Sequence, residues 1–422
     1  MSDVRVALLR KRYAAERRFR RLGGAAVGTA IAALVMLLAS ILWRGLPAFF
    51  EHRVRLEVKL EEAAIDPDGT RDPLRIGEAN YAGLLRDALV TQFPEASGRR
   101  EKRALGSIVS LGAAYDLRDR VLADPGLIGR AISFEALLSD EADLALRGEG
   151  GRDAPEDERA LSDAQLGWLD ALAARGLVQR SFALRLLTSG DSREPELAGV
   201  WSAVVGSFWT LLTTLALSFP LGVAAAIYLE ELAPKNRWTH WLEININNLA
   251  AVPSIVFGLL GLAIFLGFFG IPRSAPLAGG MVLALMTLPT VIIAGRASIR
   301  AVPPSIREAA LAVGASQLQC VFHHVLPLAM PGVLTGTILG MARALGETAP
   351  LLMIGMVAFI VDVPSGPLEP STALPVQVYL WADSPERAFV ARTSAAIIVL
   401  LAFLVLMNLS AVLLRNRFER RW

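Results

Sequence analysis

Uncharged apolar blocks alternate with charged stretches along this chain of 422 residues. Blocks long enough for a helix to cross a bilayer, about 20 residues, occupy residues 22–43, 197–229, 244–272, 274–295 and 393–414. A sixth, from about residue 331 to 360, alone carries internal charge, at Arg343 and Glu347. Six crossings put both ends of the chain on one side of the membrane. Between the first two blocks the pattern changes. Residues 53–61 (R-V-R-L-E-V-K-L-E) alternate with period two, as a half-exposed strand does, and 181–187 suggest a second strand. Residues 80–93 and 162–175 have helical spacing, the latter opening on an S-x-x-Q box at Ser162 and Gln165. Residues 148–151 and 153–158 read as loops. The expected fold is therefore an all-α polytopic membrane protein with six transmembrane helices and a small α+β domain. Its divisions fall at 1–46 (basic tail and first span), 47–198 (outer domain), 199–414 (transmembrane core) and 415–422 (basic tail).

Composition agrees: 54% of residues are hydrophobic, 19% are charged, and mean hydropathy is +0.46. Charge decides the orientation. Arg5, Arg10, Lys11, Arg12, Arg17, Arg18, Arg20 and Arg21 precede the first span, and Arg415, Arg417, Arg420 and Arg421 follow the last. Lys235, Arg237, Arg296, Arg300 and Arg307 fall on the same side, so both termini are expected in the cytoplasm. The first apolar run is too long for a signal peptide and lacks a small-x-small cleavage site before Trp43 and Arg44, so it reads as a retained anchor. The net charge of +2 conceals 28 acidic and 20 basic residues between Glu51 and Glu196, a net of −8 on the outer side. The single cysteine, Cys320, allows no internal disulfide.

Residues 304–327, P-S-I-R-E-A-A-L-A-V-G-A-S-Q-L-Q-C-V-F-H-H-V-L-P, form a charged insert between two apolar runs. Ser305 with Glu308, and Ser316 with Gln319, read as two capping boxes, each starting a short helix. Gly314 sits where the first helix stops and the chain turns. Two short helices tied together on a membrane protein's face suit a knob that docks a soluble partner. The pattern E-A-A-x₃-G…L-P, at Glu308, Ala309, Ala310, Gly314, Leu326 and Pro327, resembles the cytoplasmic coupling loop of ABC importer permeases; His324 stands where an aliphatic residue is usual.

From about Gly199 onward, and in the first span, the chain resembles the PstA-type permeases of phosphate ABC importers, which belong to the MetI-like, type I group. The resemblance lies in G-S-F-W-T-L-L-T-T-L-A-L-S-F-P-L-G-V-A-A-A-I-Y-L-E-E-L-A-P ending at Pro234, I-N-N-L-A-A-V-P-S-I-V-F-G-L from Ile246 and G-E-T-A-P-L-L from Gly346. It implies a permease subunit that translocates inorganic phosphate across the bacterial inner membrane and catalyses no covalent step itself. The implied partners are a homologous second permease, a dimeric ATPase and a periplasmic phosphate-binding protein. Sulfate, molybdate or phosphonate permeases are the alternative within the class. A membrane receptor with an outer sensor domain is the alternative outside it, although only short cytoplasmic segments are present to signal. The large outer domain departs from the resemblance.

Absent motifs narrow the chemistry. No G-x-x-x-x-G-K-[ST] loop is present, so ATP hydrolysis must come from another chain. No H-E-x-x-H or Cys/His cluster suggests a metal, no cofactor is expected, and no nucleic-acid partner is expected. His323 and His324 are adjacent, would point in different directions on a helix, and read as part of the docking surface.

Polar groups inside apolar runs are the candidate pathway. Asn247, Asn248 and Ser254 flank Pro253 near the start of a run and should face a partner helix or a pathway, since lipid leaves them unsatisfied. Pro220, Pro289 and Pro350 each read as a kink inside a span. Arg343 and Glu347, four apart on one helix, share a face and can pair. A mid-membrane charge costs at least ~2.5–3.5 kcal/mol, so such residues face interior cavities. The planar fork of arginine suits an oxyanion. Glu347 can accept from the hydroxyl of a protonated phosphate, which sulfate lacks. Thr348, in the same G-E-T-A-P-L-L segment, is grouped with them. A purely structural ion pair stays open for Arg343 and Glu347, as interhelical hydrogen bonding does for the amides. Arg296 reads as a residue that snorkels at the end of its span.

Overall fold

The computed structural model describes residues 2–418, apart from 150, 153 and 358. Arg420 and Arg421, used above for orientation, lie outside the described residues. The chain opens with helix α1, Ser2–Gly45, 44 residues long. At 1.5 Å per residue it measures about 65 Å, twice a bilayer's hydrocarbon core, so its basic half extends beyond the apolar one. The rest of the chain leaves the apolar half uncovered, with Val27, Ile31, Leu34 and Leu42 all exposed.

A head follows, built on a three-stranded antiparallel sheet in the order β2-β1-β3. Strand β1, Phe50–Lys59, is central. Its period-two pattern puts Val54, Leu56 and Val58 on the buried face at 0–1% exposure, with charged residues between them. Helices α2 (Tyr81–Gln92) and α3 (Leu111–Ala123) pack on that face through Leu85, Leu89, Leu117 and Val121. Strand β2, Ala131–Leu137, pairs Phe134 with Leu56. Helix α4, Asp140–Leu146, precedes α5, Asp163–Ala174, which opens on the expected Ser162–Gln165 box. Strand β3, Val178–Phe182, pairs Phe182 with Phe50, which brings the two ends of the head together.

Three expectations about the head change. Strand β2 was not anticipated, because its alternation is weak until Leu56 and Val58 cover it. Residues 181–187 are not one strand: the Ala183 N–H donates to Phe49 O at 2.8 Å, the ladder ends, and Leu184–Thr188 turns helical. Within 153–158, read as loop, Glu156–Glu158 forms a single 3₁₀ turn; Gly150 and Asp153 lie outside the described residues.

The remaining helices form the membrane core: α6 (Trp201–Ile227), α7 (Arg237–Ala250), α8 (Ser254–Gly261), α9 (Pro276–Arg300), α10 (Pro304–Ala312), α11 (Gln317–Cys320), α12 (Leu326–Gly346), α13 (Leu374–Ala382) and α14 (Ala388–Phe418). Among the described residues, five helices are long and apolar enough to span a membrane, or six if the bent α7–α8 pair is one span. Helices α6 and α9 approach to backbone distance, since a Cβ at Gly280 would lie 2.4 Å from Thr213 Cβ. Small residues in this role are how membrane helices gain contact where lipid offers no hydrophobic drive.

Apolar length alone misplaced two spans. The run 244–272 is not one straight crossing: α7 and α8 meet at 99° around Pro253, which caps α8. A proline lacks the N–H that would continue α7 and pushes its predecessor toward extended backbone. The long helix of the run 331–360 ends at Gly346, and it starts far earlier, at Gln317, continuing through a wider turn at Val321–Val325 into α12. Pro350 is therefore not inside a span but opens a short helix, Ala349–Met353. Pro220 and Pro289 do lie inside α6 and α9.

Candidate docking loop and translocation face

The loop between α9 and α12 turns at Gly314, whose φ of +89° a side chain rarely adopts. The Gly314 N–H donates to Leu311 O at 3.0 Å and the Ala315 N–H to Ala310 O at 3.1 Å, closing α10. Ser316 and Gln319 form the expected box. Ser305 and Glu308 do not: α10 begins at Pro304 with Pro303 before it, so Ser305 already lies within the helix and caps nothing. Glu308 consequently sits beyond the first turn, outside the reach of the helix dipole. Ala310 and Cys320 are buried and join the two arms, and Leu326 and Pro327 are half-buried where the loop enters α12. Glu308, Ala309 and Gly314 are exposed beside an uncovered apolar surface of Leu311, Val313, Leu318 and Phe322.

An ion network that the sequence reading missed holds this loop. Arg307 forks onto Glu231, with Nη2–Oε1 at 2.7 Å and Nε–Oε1 at 3.0 Å. The same guanidinium donates to Ile299 O at 2.8 Å and Val302 O at 2.7 Å, satisfying carbonyls at the end of α9. Gln317 adds a bond to Glu231 O at 2.7 Å. Arg296 does not simply snorkel; it bridges Glu230 at 2.8 Å and Glu243 at 2.6 Å, and Arg300 reaches Glu230 at 2.7 Å. The adjacent acids Glu230 and Glu231 closing an apolar run, with arginines at 296, 300 and 307, were the available signal. His323 and His324 line one cleft of about 620 Å³ with Ile306 and Pro327.

Arg343 and Glu347 pair at 3.5 Å, but not on one helix: α12 ends at Gly346, and Glu347 follows it in extended backbone. Arg343 thus occupies the last turn of α12, where the dipole favours a cation. Its side chain is 60% exposed and that of Glu347 20%. Thr348, half-buried, leads into the short helix Ala349–Met353. Asn247 and Asn248 are exposed in the last turn of α7, and Ser254 begins α8 across the bend. Helix α8 packs on that short helix, for a Cβ at Gly258 would lie 2.8 Å from Met353 Cβ. The structure therefore pairs Arg343 with Glu347, with Thr348 next in the chain. It places the amides and Ser254 one element away, with no hydrogen bond between the two sets among the described residues.

Where the head meets the core, charge is buried. Arg392 of α14, 7% exposed, lies among Glu51, Asp143 and Glu196. Ser110 Oγ donates to Glu196 Oε1 at 2.6 Å, and burial pushes the Glu196 carboxyl up from its ordinary range. Burial, then a hydrogen bond and repulsion from Glu141, push Asp140 up to about 8. Asp191 accepts from Trp381 Nε1 at 2.8 Å and is pushed up by burial.

Apolar helices long enough to span a membrane, around a two-armed loop whose own helix ends at the Arg343–Glu347 pair, fit a transport permease. A family model described as "Binding-protein-dependent transport system inner membrane component" matches residues 218–422, and one described as "Domain of unknown function (DUF3333)" matches 7–156. The chain is 34% identical over 225 residues to the phosphate transport system permease protein PstA 1 of Mycobacterium tuberculosis, covering 53% of this chain and 72% of that one. It is 31% identical over 231 residues to PstA of Haemophilus influenzae, covering 54% and 80%. Among solved structures, the MetNI methionine ABC transporter aligns over 53% of this chain and 95% of its own, at 17% identity and a TM-score of 0.41. The chain belongs to the PstA family of phosphate-transport-system permeases.

Proposed function

We propose that this chain is the transmembrane permease subunit of an ATP-driven importer that carries inorganic phosphate across the bacterial inner membrane. Both termini and the loop 304–327 face the cytoplasm, and the acidic head faces out. The observation that carries this reading is mechanical. The loop, clamped by Arg307 to Glu231, continues without a break from Gln317 to Gly346, where Arg343 and Glu347 sit. A push on the loop thus reaches the ion pair along a rigid helix.

Glu308, Ala309 and Gly314 with the adjacent apolar surface meet a dimeric ATPase, while Ala310, Leu326 and Pro327 hold the loop's shape. The chain itself catalyses no covalent step. An ATPase is required because moving an anion inward against 100 mV costs about 2.3 kcal/mol per charge. A homologous second permease covers the exposed faces, and a periplasmic phosphate-binding protein delivers substrate to the outer side. Arg343 supplies the charge that offsets the anion's lost hydration, Glu347 accepts from a phosphate hydroxyl, and Thr348 lies beside them. Asn247, Asn248 and Ser254 border the same route at the bend.

Labelled phosphate uptake, in cells dependent on this permease with its ATPase and binding protein, tests the reading. Uptake should need this chain and resist competition from equal unlabelled sulfate or molybdate. Equal competition by either would move the substrate to another oxyanion.

A further inference from the structure

We infer that a groove at the junction of α1, α14 and β3 binds the headgroup of an anionic phospholipid. Arg44 ends the first span, Arg387 immediately precedes the last, and Arg180 reaches down from β3; all three line one groove of about 720 Å³. None of the three forms an ion pair among the described residues, and a single carboxylate, Glu149, lines the groove with them. Arg180 lies over the ring of Phe50, 4.1 Å from its centroid, which holds that guanidinium at the mouth while leaving its N–H groups free to donate.

The occupant follows from what borders the arginines. Trp43, 84% exposed, stands at the level where interfacial tryptophans gather. Leu46 and Val390 complete an apolar wall that continues into the uncovered faces of α1 and α14. A phosphodiester meets the guanidinium forks above, and its acyl chains meet apolar helix surface below. A free phosphate satisfies only the first half of that description. A lipid held here would bridge the head to both peripheral helices.

The full chain in neutral detergent, titrated with acyl-brominated phosphatidylglycerol or phosphatidylcholine, tests this. Trp43 is one of eight tryptophans, so its signal is the difference between the wild type and Trp43→Phe. Phosphatidylglycerol should quench it at a lower mole fraction than phosphatidylcholine does. Each of Arg44→Gln, Arg180→Gln and Arg387→Gln should raise the half-quenching fraction about fivefold. The triple lysine variant, which keeps charge and fold, should retain the preference. Equal quenching by the two lipids, or unchanged midpoints in the glutamine variants, would overturn the inference. So would loss of the preference in millimolar inorganic phosphate, which would mark a free oxyanion site. Absence of Trp43 quenching by either lipid would also overturn it.

Discussion

In the head, thirty buried residues between Val54 and Leu172 form one cluster, drawn entirely from that segment. In the core, α1 and α14 leave their most apolar stretches uncovered, and buried residues gather in smaller clusters, one of which joins Ala183 and Leu186 of the head's last segment to Trp381 and Phe389. The head meets its own hydrophobic requirement as a water-soluble domain does. The core meets its requirement with lipid and with partner chains, and its internal helix contacts rely on glycine and hydroxyl residues such as Gly280 and Thr214. The two regions are thus folded by different forces, and they are tied together by the buried charges at Arg392 and by that apolar seam. Each test below breaks or sharpens that contrast.

Cutting the junction should have the largest effect. Phe50 and Phe182 are paired across the sheet, so residues 51–181 can be replaced by a tight turn. Excision removes Glu51 and Asp143 from beside Arg392, together with the like charge of Arg147 and part of its cover, and leaves Glu196 as the counter-charge. An uncompensated buried charge costs roughly 3–5 kcal/mol, which should lower the core's thermal midpoint by about 10 °C. Adding Arg392→Leu should restore most of it. The excised head, residues 50–183, should unfold cooperatively by itself in water. A head that stays unfolded alone, or a truncated core that Arg392→Leu does not rescue, would mean the two regions share one core.

Within the core, Arg307→Ala leaves Glu231 unpaired and the Val302 carbonyl without its donor, a loss of about 2–5 kcal/mol. Uptake and recovery of assembled protein should fall together. Glu308→Lys, at an exposed position beyond the first turn, should abolish uptake and ATPase co-purification while the chain's own thermal midpoint stays unchanged. If Glu308→Lys transports normally, the loop is not the docking face.

At the junction, pH provides a gentler probe. A carboxyl with its pKa raised to about 8 holds a proton in the folded state that the unfolded chain has already released. The folded state therefore binds more protons between about pH 4 and pH 8, and stability falls as pH rises through that window. Asp140→Asn should flatten the dependence and raise the head's midpoint at pH 8 by roughly 2–4 °C, the shift ~1 kcal/mol produces in a domain of this size. Greater stability of the wild type at pH 8 than at pH 5 would contradict this.

The smallest stability change belongs to Arg343→Gln, since a pair with one member 60% exposed contributes about 0–1 kcal/mol. Phosphate uptake should nonetheless drop much more than assembled protein. The double variant with Glu347→Gln should assemble well and still transport poorly; normal uptake by it would reduce the pair to a packing contact.

Local patterns were readable before any tertiary contact was known. The alternation at β1, the boxes at Ser162 and Ser316, the turn at Gly314 and the uncharged runs all rest on neighbours within a few residues, where hydrogen bonds and side-chain periodicity act. The Ser305 box failed even locally, because Pro303 and Pro304 moved the helix start. What the tertiary structure alone decided depends on distant partners. Strand β2 exists because β1, some 80 residues earlier, offers it a ladder, as the Arg55–Glu135 pair shows. Pro253 marked a break between α7 and α8, but its 99° angle was not legible, because apolar length limits how far a helix can reach and says nothing of its direction. Arg307 and Glu231 are 76 residues apart, and Arg392 meets Glu196 across 196. Charges that look alike in a sequence become clamp, latch or exposed pair only when folding sets their solvent access and partners, because Coulomb energy depends on distance and dielectric and not on order along the chain.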